Sequence, residues 1–329
     1  MPATITAVTH YFPPDIYKND YFSKYLDTSD EWIKTRTGIA ERRFLKEGAT
    51  SDLIVPAAKQ LLEQKGLSPS DIDTIIVSTV TPDHMFPNTA AVVQDKLGIP
   101  NAWGFDISAA CSGYLFSLRT AASLVESGAS KRVLLCGADK MSSIMDFQDR
   151  ATAVLFGDGG TATLVEMSDD PNYGILDNIL HIDGNGGKYL KQIAGGSFKP
   201  ASHETVDNKE HYIFQDGQAV FKAAVKGMAD VSIEIMQKHN LSNNDIAWLV
   251  PHQANLRIIS ATANRMGLSP DKVMVNIDKY ANTTSATIPS CLSEWKDAGK
   301  IKKGDYLILS SFGAGFTWGA ILLRWNMNV

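Results

Sequence analysis

Three polar residues suited to nucleophilic catalysis occur at connections between predicted strands and helices. Cys111 lies in "FDISAACSGY" (105–114), where an apolar segment runs into a helical pattern. His252, in "VPHQANLRI" (250–258), follows a predicted strand, and Asn282, in "ANTTSA" (281–286), lies in a corresponding connection. A cysteine can supply a thiolate nucleophile, whereas histidine and asparagine can supply neutral hydrogen-bond donors.

Each of these residues also has a simpler structural interpretation. A helix N-terminus lowers the pKa of a thiol below its usual ~8.5, and the small neighbours Ala109, Ala110, Ser112 and Gly113 permit a tight bend. A lone cysteine beside alanines, however, is more often a small buried apolar residue. A lone loop histidine or asparagine is more often a hydrogen-bonded turn residue. The shared position at strand ends favours a common site, because open α/β sheets build sites there.

The elements that must position these residues follow an α/β pattern. Short apolar runs at 74–79, 132–136, 248–250 and 306–310 predict buried strands. The apolar spacing over 112–127 predicts a helix, with Gly128 as its C-terminal stop.

The chain also repeats itself. Three pairs of similar segments occur in the same order: "LSPSDID" (67–73) with "LSNNDIA" (241–247), "ESGASKRVLL" (126–135) with "DAGKIKKGDYLIL" (297–309), and "FGDGGTATLVE" (156–166) with "FGAGFTWGAILLRW" (312–325). This order predicts two related halves, 1–172 with the cysteine and 173–329 with the histidine and asparagine. The irregular, glycine-rich segment 183–215 interrupts the second half and is typical of a lid or pocket wall.

Composition limits the class of protein. The chain has 329 residues, 44% of them hydrophobic, and a formal net charge of −5, so no bulk basic field attracts nucleic acid or an anionic membrane. Its three scattered cysteines predict neither a disulfide framework nor a zinc site. We expect a reduced cytoplasmic protein, because no signal-peptide pattern and no apolar run of ~20 residues is evident.

A motif near the N-terminus has a ligand-binding pattern. Thr28-x-x-Glu31 predicts a capping box that opens a helix ending by Gly38, and Trp32 and Arg36 share one face of that helix. An indole beside a guanidinium suits an adenine ring and a phosphate, but it equally suits a surface tryptophan packed on an arginine stem. The run "GDGGTA" (157–162) lacks the spacing of a dinucleotide-binding loop.

Several long motifs resemble those of the β-ketoacyl-acyl-carrier-protein synthase III family, which initiates bacterial type II fatty acid synthesis. They are "DTSDEWIKTRTGI", "AACSGY", "DRATAVLFGDGG", "VPHQANLRI", "ANTTSA" and "FGAGFTWGA", and the similarity runs essentially from end to end. The resemblance implies an α/β thiolase-like fold of two βαβαβαββ halves in five α-β-α-β-α layers. It also implies a homodimer and no cofactor or metal.

The resemblance further implies two half-reactions. Cys111 takes the acyl group of an acyl-CoA primer, and His252 and Asn282 then stabilise the enolate formed when malonyl-acyl-carrier protein loses CO2. The backbone N–H groups of Cys111 and Ala314 would form an oxyanion hole. The loop reads Gly-Ala-Gly at 313–315 where the family often has three glycines, so Ala314 must not need a positive φ.

Other residues take family roles in binding. Phe86 is expected to reach across the dimer into the partner's acyl pocket, and Arg257 is expected to dock the acidic carrier protein. The expected CoA contacts are Trp32, Arg36, Arg150, Gly217 and Asn255.

Alternatives remain at this stage. A related Cys-His-Asn condensing enzyme of secondary metabolism, for polyketides, quinolones or head-to-head acyl condensation, shares the trio. A biosynthetic thiolase is disfavoured, because "SSFGAGFTWG" lacks a second cysteine and Cys291 lies in a helical segment. A cysteine hydrolase and a non-catalytic acyl-CoA-binding protein are further possibilities. Primer choice stays open, because one or two methylenes change binding by only ~1–3 kcal/mol.

Overall fold

The computed structural model describes residues 1–327. The first half contains six helices and seven strands. The strands are β1 (Ala3–Tyr11), β2 (Ile16–Lys18), β3 (Glu41–Arg43), β4 (Thr74–Ser78), β5 (Trp103–Ile107), β6 (Val133–Asp139) and β7 (Gly159–Met167). The helices are α1 (Asp20–Ser23), α2 (Asp30–Thr37), α3 (Thr50–Lys65), α4 (Thr89–Leu97), α5 (Gly113–Glu126) and α6 (Arg150–Ala153).

The second half has five helices and six strands. Its strands are β8 (Gly174–Ile182), β9 (Leu190–Gln192), β10 (Ile213–Gln215), β11 (Ile246–Pro251), β12 (Tyr306–Gly313) and β13 (Thr317–Arg324). Its helices are α7 (His203–Asp207), α8 (Gly217–Lys238), α9 (Leu256–Arg265), α10 (Ile277–Tyr280) and α11 (Thr287–Asp297). The 3₁₀ turns important for the site are Ala110–Ser112, Met141–Ser143 and Thr284–Ala286.

Two main sheets share one strand order. The first sheet runs β1-β7-β6-β4-β5, and the second runs β8-β13-β12-β11. The strand equivalent to β5 is reduced in the second half to an isolated bridge between Leu249 and Val273. The β4–β5 and β4–β6 pairs of the first sheet and the β11–β12 pair of the second are parallel, and the other pairs of both sheets are antiparallel. The boundary predicted after residue 172 lies between β7 and β8, and the division into halves stays a prediction.

Helices fill the layers around these sheets. The apolar faces of α5 and α11 lie between the two sheets, in a core cluster to which both halves contribute. Helices α3 and α4 cover the outer face of the first sheet, and α8 and α9 cover that of the second. This arrangement has the five α-β-α-β-α layers that the sequence predicts. It also places the N-termini of both central helices near the carboxyl ends of strands, where the candidate residues lie.

Local sequence signals identified several of these elements. The four predicted strands correspond to β4, β6, β11 and β12. The helix predicted over 112–127 is α5, and Gly128 follows it with a φ of 76°, a left-handed conformation that favours glycine.

Two local predictions were wrong. The residue that caps α2 is Ser29, whose hydroxyl accepts from the Trp32 N–H at 3.1 Å, and not Thr28. Asn282 does not follow a regular strand either. It follows the short helix α10, and its only strand-like contact is an isolated bridge to Phe156. The C-terminal stop of α2 at Gly38, with a φ of 82°, is as predicted.

The segment 183–215 is ordered by short elements and by contacts with the first half. It contains a 3₁₀ turn, the β9–β10 hairpin pair and α7. The Ile213 N–H donates to the Ile144 carbonyl at 2.8 Å, and Lys209 Nζ lies 2.9 Å from Asp146 Oδ2. Among residues 1–327, no helix is both long and apolar enough to cross a bilayer.

Candidate active site

A single cavity of about 690 Å³ collects nearly all the residues that the sequence singles out. It is lined by both halves and by the segment 183–215. Its lining includes Trp32, Arg36, Cys111, Arg150, Gly217, His252, Asn255, Arg257, Asn282 and Ala314. The predicted site residue that does not line it is Phe86.

Cys111 lies at the bend between β5 and α5. The chain reaches it through Ala110, whose φ of 47° is unusual for a residue with a side chain. The Ser311 hydroxyl donates to the Cys111 carbonyl at 2.8 Å, which ties this bend to β12. Gly313 approaches so closely that a Cβ there would lie 2.8 Å from the Cys111 nitrogen. The nucleophile candidate is therefore held by backbone contacts between the two halves.

The surroundings of Cys111 keep its thiol protonated. The side chain is 9% exposed, and burial raises its pKa to about 12, with a further increase from the nearby Asp139 carboxylate. A hydrogen bond from the Asn282 side chain and one from the backbone N–H of Cys111 oppose this increase. The sequence-based expectation of a lowered pKa was wrong, because the loss of hydration outweighs the effect of the helix terminus.

His252 follows β11 directly and is almost fully buried. Its backbone N–H donates to the Ser310 carbonyl at 2.8 Å, and its side chain is 1% exposed. Burial lowers its pKa to about 3, so the imidazole is neutral at pH 7. Nδ1 of this ring lies 2.7 Å from the Thr287 hydroxyl at the start of α11.

The Thr287 hydroxyl can donate to either of two acceptors, and its choice sets the tautomer of His252. Its oxygen also lies 3.0 Å from the Thr284 carbonyl, and it has one proton for the two neighbours. When it donates to Nδ1, the ring carries its proton on Nε2 and can donate into the cavity. When it donates to Thr284, Nδ1 carries the proton and Nε2 can only accept. Sequence reasoning missed Thr287, although it directly follows the motif "ANTTSA" (281–286).

Asn282 is fixed at both its backbone and its side chain. Its N–H donates to the Leu155 carbonyl at 3.0 Å, and its carbonyl accepts from the Gly157 N–H at 3.1 Å. Its side-chain Oδ1 accepts from the Thr284 N–H at 2.9 Å. The amide nitrogen is thereby left as the group that faces the Cys111 thiol. The structure thus brings the thiol, the imidazole and the amide to one cavity.

The Gly-Ala-Gly loop follows β12 and faces the bend at Cys111. Ala314 is not among the non-glycine residues with positive φ in the described part of the chain, whereas Gly315 has a φ of 141°. An alanine therefore fits at position 314, because this position does not require a positive φ. The Thr317 hydroxyl lies 3.0 Å from the Ala314 carbonyl and 3.1 Å from that of Ala109, which holds the loop against the bend.

An aromatic and cationic cluster lies at the outer part of the cavity. The guanidinium carbons of Arg36 and Arg150 lie 4.4 and 5.0 Å from the Trp32 ring centroid. Asn255 Nδ2 and Arg257 Nε both donate to the Arg36 carbonyl, at 2.9 and 3.0 Å. The start of α9 therefore caps the end of α2, and the predicted cation–indole face exists.

Phe86 lies elsewhere, on a surface loop, and is 87% exposed. Its expected role concerns the pocket of a partner subunit and stays a prediction. Within its own chain, apolar residues that sequence reasoning missed line the deeper cavity. They are Met141, Ile144, Phe156, Leu190, Ile213 and Phe312. The interpretation of 183–215 as a pocket wall was a signal for Leu190 and Ile213 only.

Comparison with known proteins assigns the chain and its fold to one family. Family models described as 3-oxoacyl-[acyl-carrier-protein] synthase III match residues 105–184 and, for its C-terminal part, 236–325. The β-ketoacyl-[acyl-carrier-protein] synthase III of Chlorobium chlorochromatii is 57% identical and covers 99% of this chain and 100% of its own. The synthase III structure from Aquifex aeolicus is 40% identical, with a TM-score of 0.90, and covers 98% of this chain and all of its own.

A structure from another pathway is less similar than these two relatives. The priming β-ketosynthase of the R1128 polyketide pathway has a TM-score of 0.90 at 32% identity and covers 99% of this chain and 97% of its own. The layered fold and the Cys-His-Asn cavity define a condensing enzyme of the thiolase-fold class, an acyltransferase. The chain belongs to the β-ketoacyl-[acyl-carrier-protein] synthase III family. The identity values favour this family over the polyketide alternative.

Proposed function

We propose that this enzyme condenses a short acyl-CoA primer with malonyl-acyl-carrier protein and so initiates fatty acid synthesis. The products are β-ketoacyl-acyl-carrier protein, CoA and CO2, and we expect no cofactor. The observation that carries the assignment of residues is the meeting of Cys111, His252 and Asn282 in one cavity. The proposed active form is a cytoplasmic homodimer, as the sequence predicts.

The first half-reaction is transfer of the primer to Cys111. The thiol sulfur attacks the thioester carbonyl, the bond to the CoA sulfur breaks, and the thiol proton ends on the departing CoA. The N–H groups of Cys111 and Ala314 stabilise the tetrahedral oxyanion. Because the resting thiol has a raised pKa, formation of the thiolate depends on the donors that the cavity directs at sulfur.

The second half-reaction is decarboxylative condensation. Malonyl-acyl-carrier protein loses CO2, and the enolate oxygen accepts hydrogen bonds from His252 Nε2 and the Asn282 amide. This role requires the tautomer in which the Thr287 hydroxyl donates to Nδ1. The carbanion then attacks the acyl-cysteine, and the Cys111 sulfur leaves and is protonated again. Each donor contributes on the order of 3 kcal/mol to the transition state.

The outer cluster suits the nucleotide end of CoA. An adenine ring can stack on Trp32, while Arg36 and Arg150 meet the phosphates. Gly217 and Asn255 line the path from there toward Cys111, where the pantetheine arm would lie. Arg257, exposed at the rim of the same cavity, suits the acidic carrier protein that delivers malonyl groups.

The decisive experiment separates the two half-reactions in His252→Ala and Asn282→Ala. Both variants should still acylate Cys111 with acyl-CoA, measured by intact mass, but should lose at least about tenfold in release of CO2 from malonyl-acyl-carrier protein. Loss of acylation in His252→Ala would instead make this histidine the base for the thiol. His203→Ala, at the exposed start of α7 and outside the cavity lining, is the matched control.

The same assay tests the other classes of protein. An acyl-Cys111 that persists without a malonyl donor argues against a hydrolase, whereas absence of any covalent acyl group would indicate a binding protein. Competition among linear and branched C2 to C8 acyl-CoA primers then defines the primer preference. Turnover with malonyl-CoA alone, and not with malonyl-acyl-carrier protein, would support a role in secondary metabolism.

A further inference from the structure

A buried carboxylate next to the site has no role in the two half-reactions. Asp139 ends β6, is 0% exposed, and forms no salt bridge among the residues that the structure describes. Its Oδ1 accepts from the Val80 N–H at 2.7 Å and the Thr79 hydroxyl at 2.9 Å. The N–H and hydroxyl of Thr81 lie at 3.2 and 3.0 Å from the same oxygen. This oxygen is thus fully used in joining β6 to the end of β4.

The second oxygen of Asp139 faces the loop that carries Asn282. The Thr284 hydroxyl forms a hydrogen bond to Oδ2, and the Ser285 hydroxyl lies 3.2 Å away. The Thr284 oxygen is also 2.8 Å from the Thr283 carbonyl. A carboxylate is the stronger acceptor, so we assign the hydroxyl proton to Asp139.

Thr284 holds a backbone conformation that its side chain does not favour. Its φ is 51°, which is rare for a β-branched residue, so surrounding contacts must maintain it. In this conformation the Thr284 N–H donates to Asn282 Oδ1 at 2.9 Å. That bond decides which end of the Asn282 amide faces the thiol. Without it, the amide can turn and present its oxygen, which cannot donate to an enolate.

We propose that Asp139, acting through Thr284, is a positioning residue that holds the Asn282 amide with its nitrogen toward the reacting atoms. The contact joins the end of β6 in the first half to the loop before α11 in the second, across 145 positions of sequence. This inference rests on the proposed role of Asn282 in decarboxylation. It assigns Asp139 no proton transfer.

The test compares Thr284→Ala with Thr284→Ser. Alanine removes the hydroxyl and tolerates the backbone angle at least as well as threonine, whereas serine keeps the hydroxyl. We expect Thr284→Ala to lower CO2 release from malonyl-acyl-carrier protein about ten- to a hundredfold and to leave acylation of Cys111 within about threefold. Thr284→Ser should keep both rates within about threefold of wild type, and Asp139→Asn should follow Thr284→Ala.

A control and a double mutant separate positioning from general damage. Thr9→Ala removes another buried hydroxyl bond, to the Ala57 carbonyl at 2.7 Å, and should not change CO2 release. In an Asn282→Ala background, Thr284→Ala should change CO2 release by less than about twofold, because the group it positions is gone.

The outcomes distinguish the two proposals. Unchanged CO2 release in Thr284→Ala, with Asn282→Ala impaired, would overturn the inference and leave the proposed function intact. A full further loss in the double mutant would also overturn it. Wild-type CO2 release in Asn282→Ala would remove the proposed role of Asn282, and the inference with it. If Asp139→Asn fails to fold, comparison of Thr284→Ala with Thr284→Ser still tests the contact between Thr284 and Asp139.

Discussion

Cys111 and His252 are both neutral at rest, because both side chains are buried. Burial raises the pKa of the thiol to about 12 and lowers that of the imidazole to about 3. The imidazole therefore stays neutral from pH 5 to 8, as a donor to a developing enolate requires. The thiol is activated only where donors and substrate stabilise its anion.

The raised pKa predicts a particular pH dependence for Cys111. Its alkylation by iodoacetamide should rise about tenfold per pH unit from pH 7 to 10 without a plateau, because the thiolate fraction keeps growing below pH 12. Intact mass over time measures the rate, and Cys111→Ala corrects for Cys136 and Cys291. A plateau near pH 8.5 would contradict the prediction.

At the scale of elements, the site depends on a few close approaches between loops and helix ends. Gly38 at the end of α2 packs so tightly on Leu256 of α9 that a Cβ there would lie 2.6 Å from the leucine Cβ. Asn255 and Arg257 then bind the carbonyl of Arg36. The Gly-Ala-Gly loop approaches the bend at Cys111 in the same way.

Substitutions at two positions of the Gly-Ala-Gly loop should affect acylation very differently. Gly313→Ala places a Cβ 2.8 Å from the Cys111 nitrogen and 2.9 Å from that of Ser112, so the loop must move and acylation should fall at least about tenfold. Ala314→Gly should keep the rate within about threefold, because the proposed donor is a backbone N–H. Single-turnover acylation measures both. Gly184→Ala is the control, because no atom lies within 4 Å of its added Cβ.

Arg257 provides a second prediction at this scale. Arg257→Glu should raise the KM for malonyl-acyl-carrier protein about tenfold and leave the rate of acylation by acyl-CoA within about threefold of wild type. The reason is that a charge at a docking surface mainly changes the rate at which the two proteins associate. Steady-state and single-turnover kinetics separate the two effects. Lys59→Glu makes the same charge change at an exposed position of α3. Equal loss in both half-reactions would remove the docking role.

For the whole molecule, one edge of the first sheet suggests a partner. Strand β5 pairs only with β4, and Trp103 on it is 49% exposed. The loop with Met85 and Phe86, 80% and 87% exposed, lies beside this edge, where Asn88 Nδ2 reaches the Gly104 carbonyl at 3.4 Å. An open strand edge beside exposed apolar side chains is suited to pairing with a second copy.

The homodimer can be tested at this edge. Light scattering should give the mass of two chains for the wild type, and Trp103→Lys should weaken dimerisation about a hundredfold, because it places a charge against apolar surface. Met167→Lys, at a position 41% exposed on β7, is the control. A monomeric wild type at micromolar concentration would contradict the prediction. Loss of primer selectivity on dissociation would support the proposed role of Phe86 in the partner's pocket.

Much of this fold could be predicted because its signals are local. Apolar runs marked β4, β6, β11 and β12, and helical spacing with a glycine stop marked α5. The capping of α2 was mistaken by one residue, since Thr28 and Ser29 both have the required hydroxyl and only the backbone angle separates them. The prediction that Asn282 follows a strand was wrong. Tertiary contacts hold this segment with a single bridge to Phe156 in place of a regular strand.

By itself, the sequence determined the repeat, the Cys-His-Asn set and the family, because these depend on residue types and their order. The tertiary structure alone decided the protonation states of Cys111 and His252, since a pKa depends on the water and charges that surround a group in space. It also decided the contacts of Asp139 and Thr284 that orient Asn282. Such contacts join segments far apart in the chain, and no local pattern of residues encodes which of them meet when the two halves pack together.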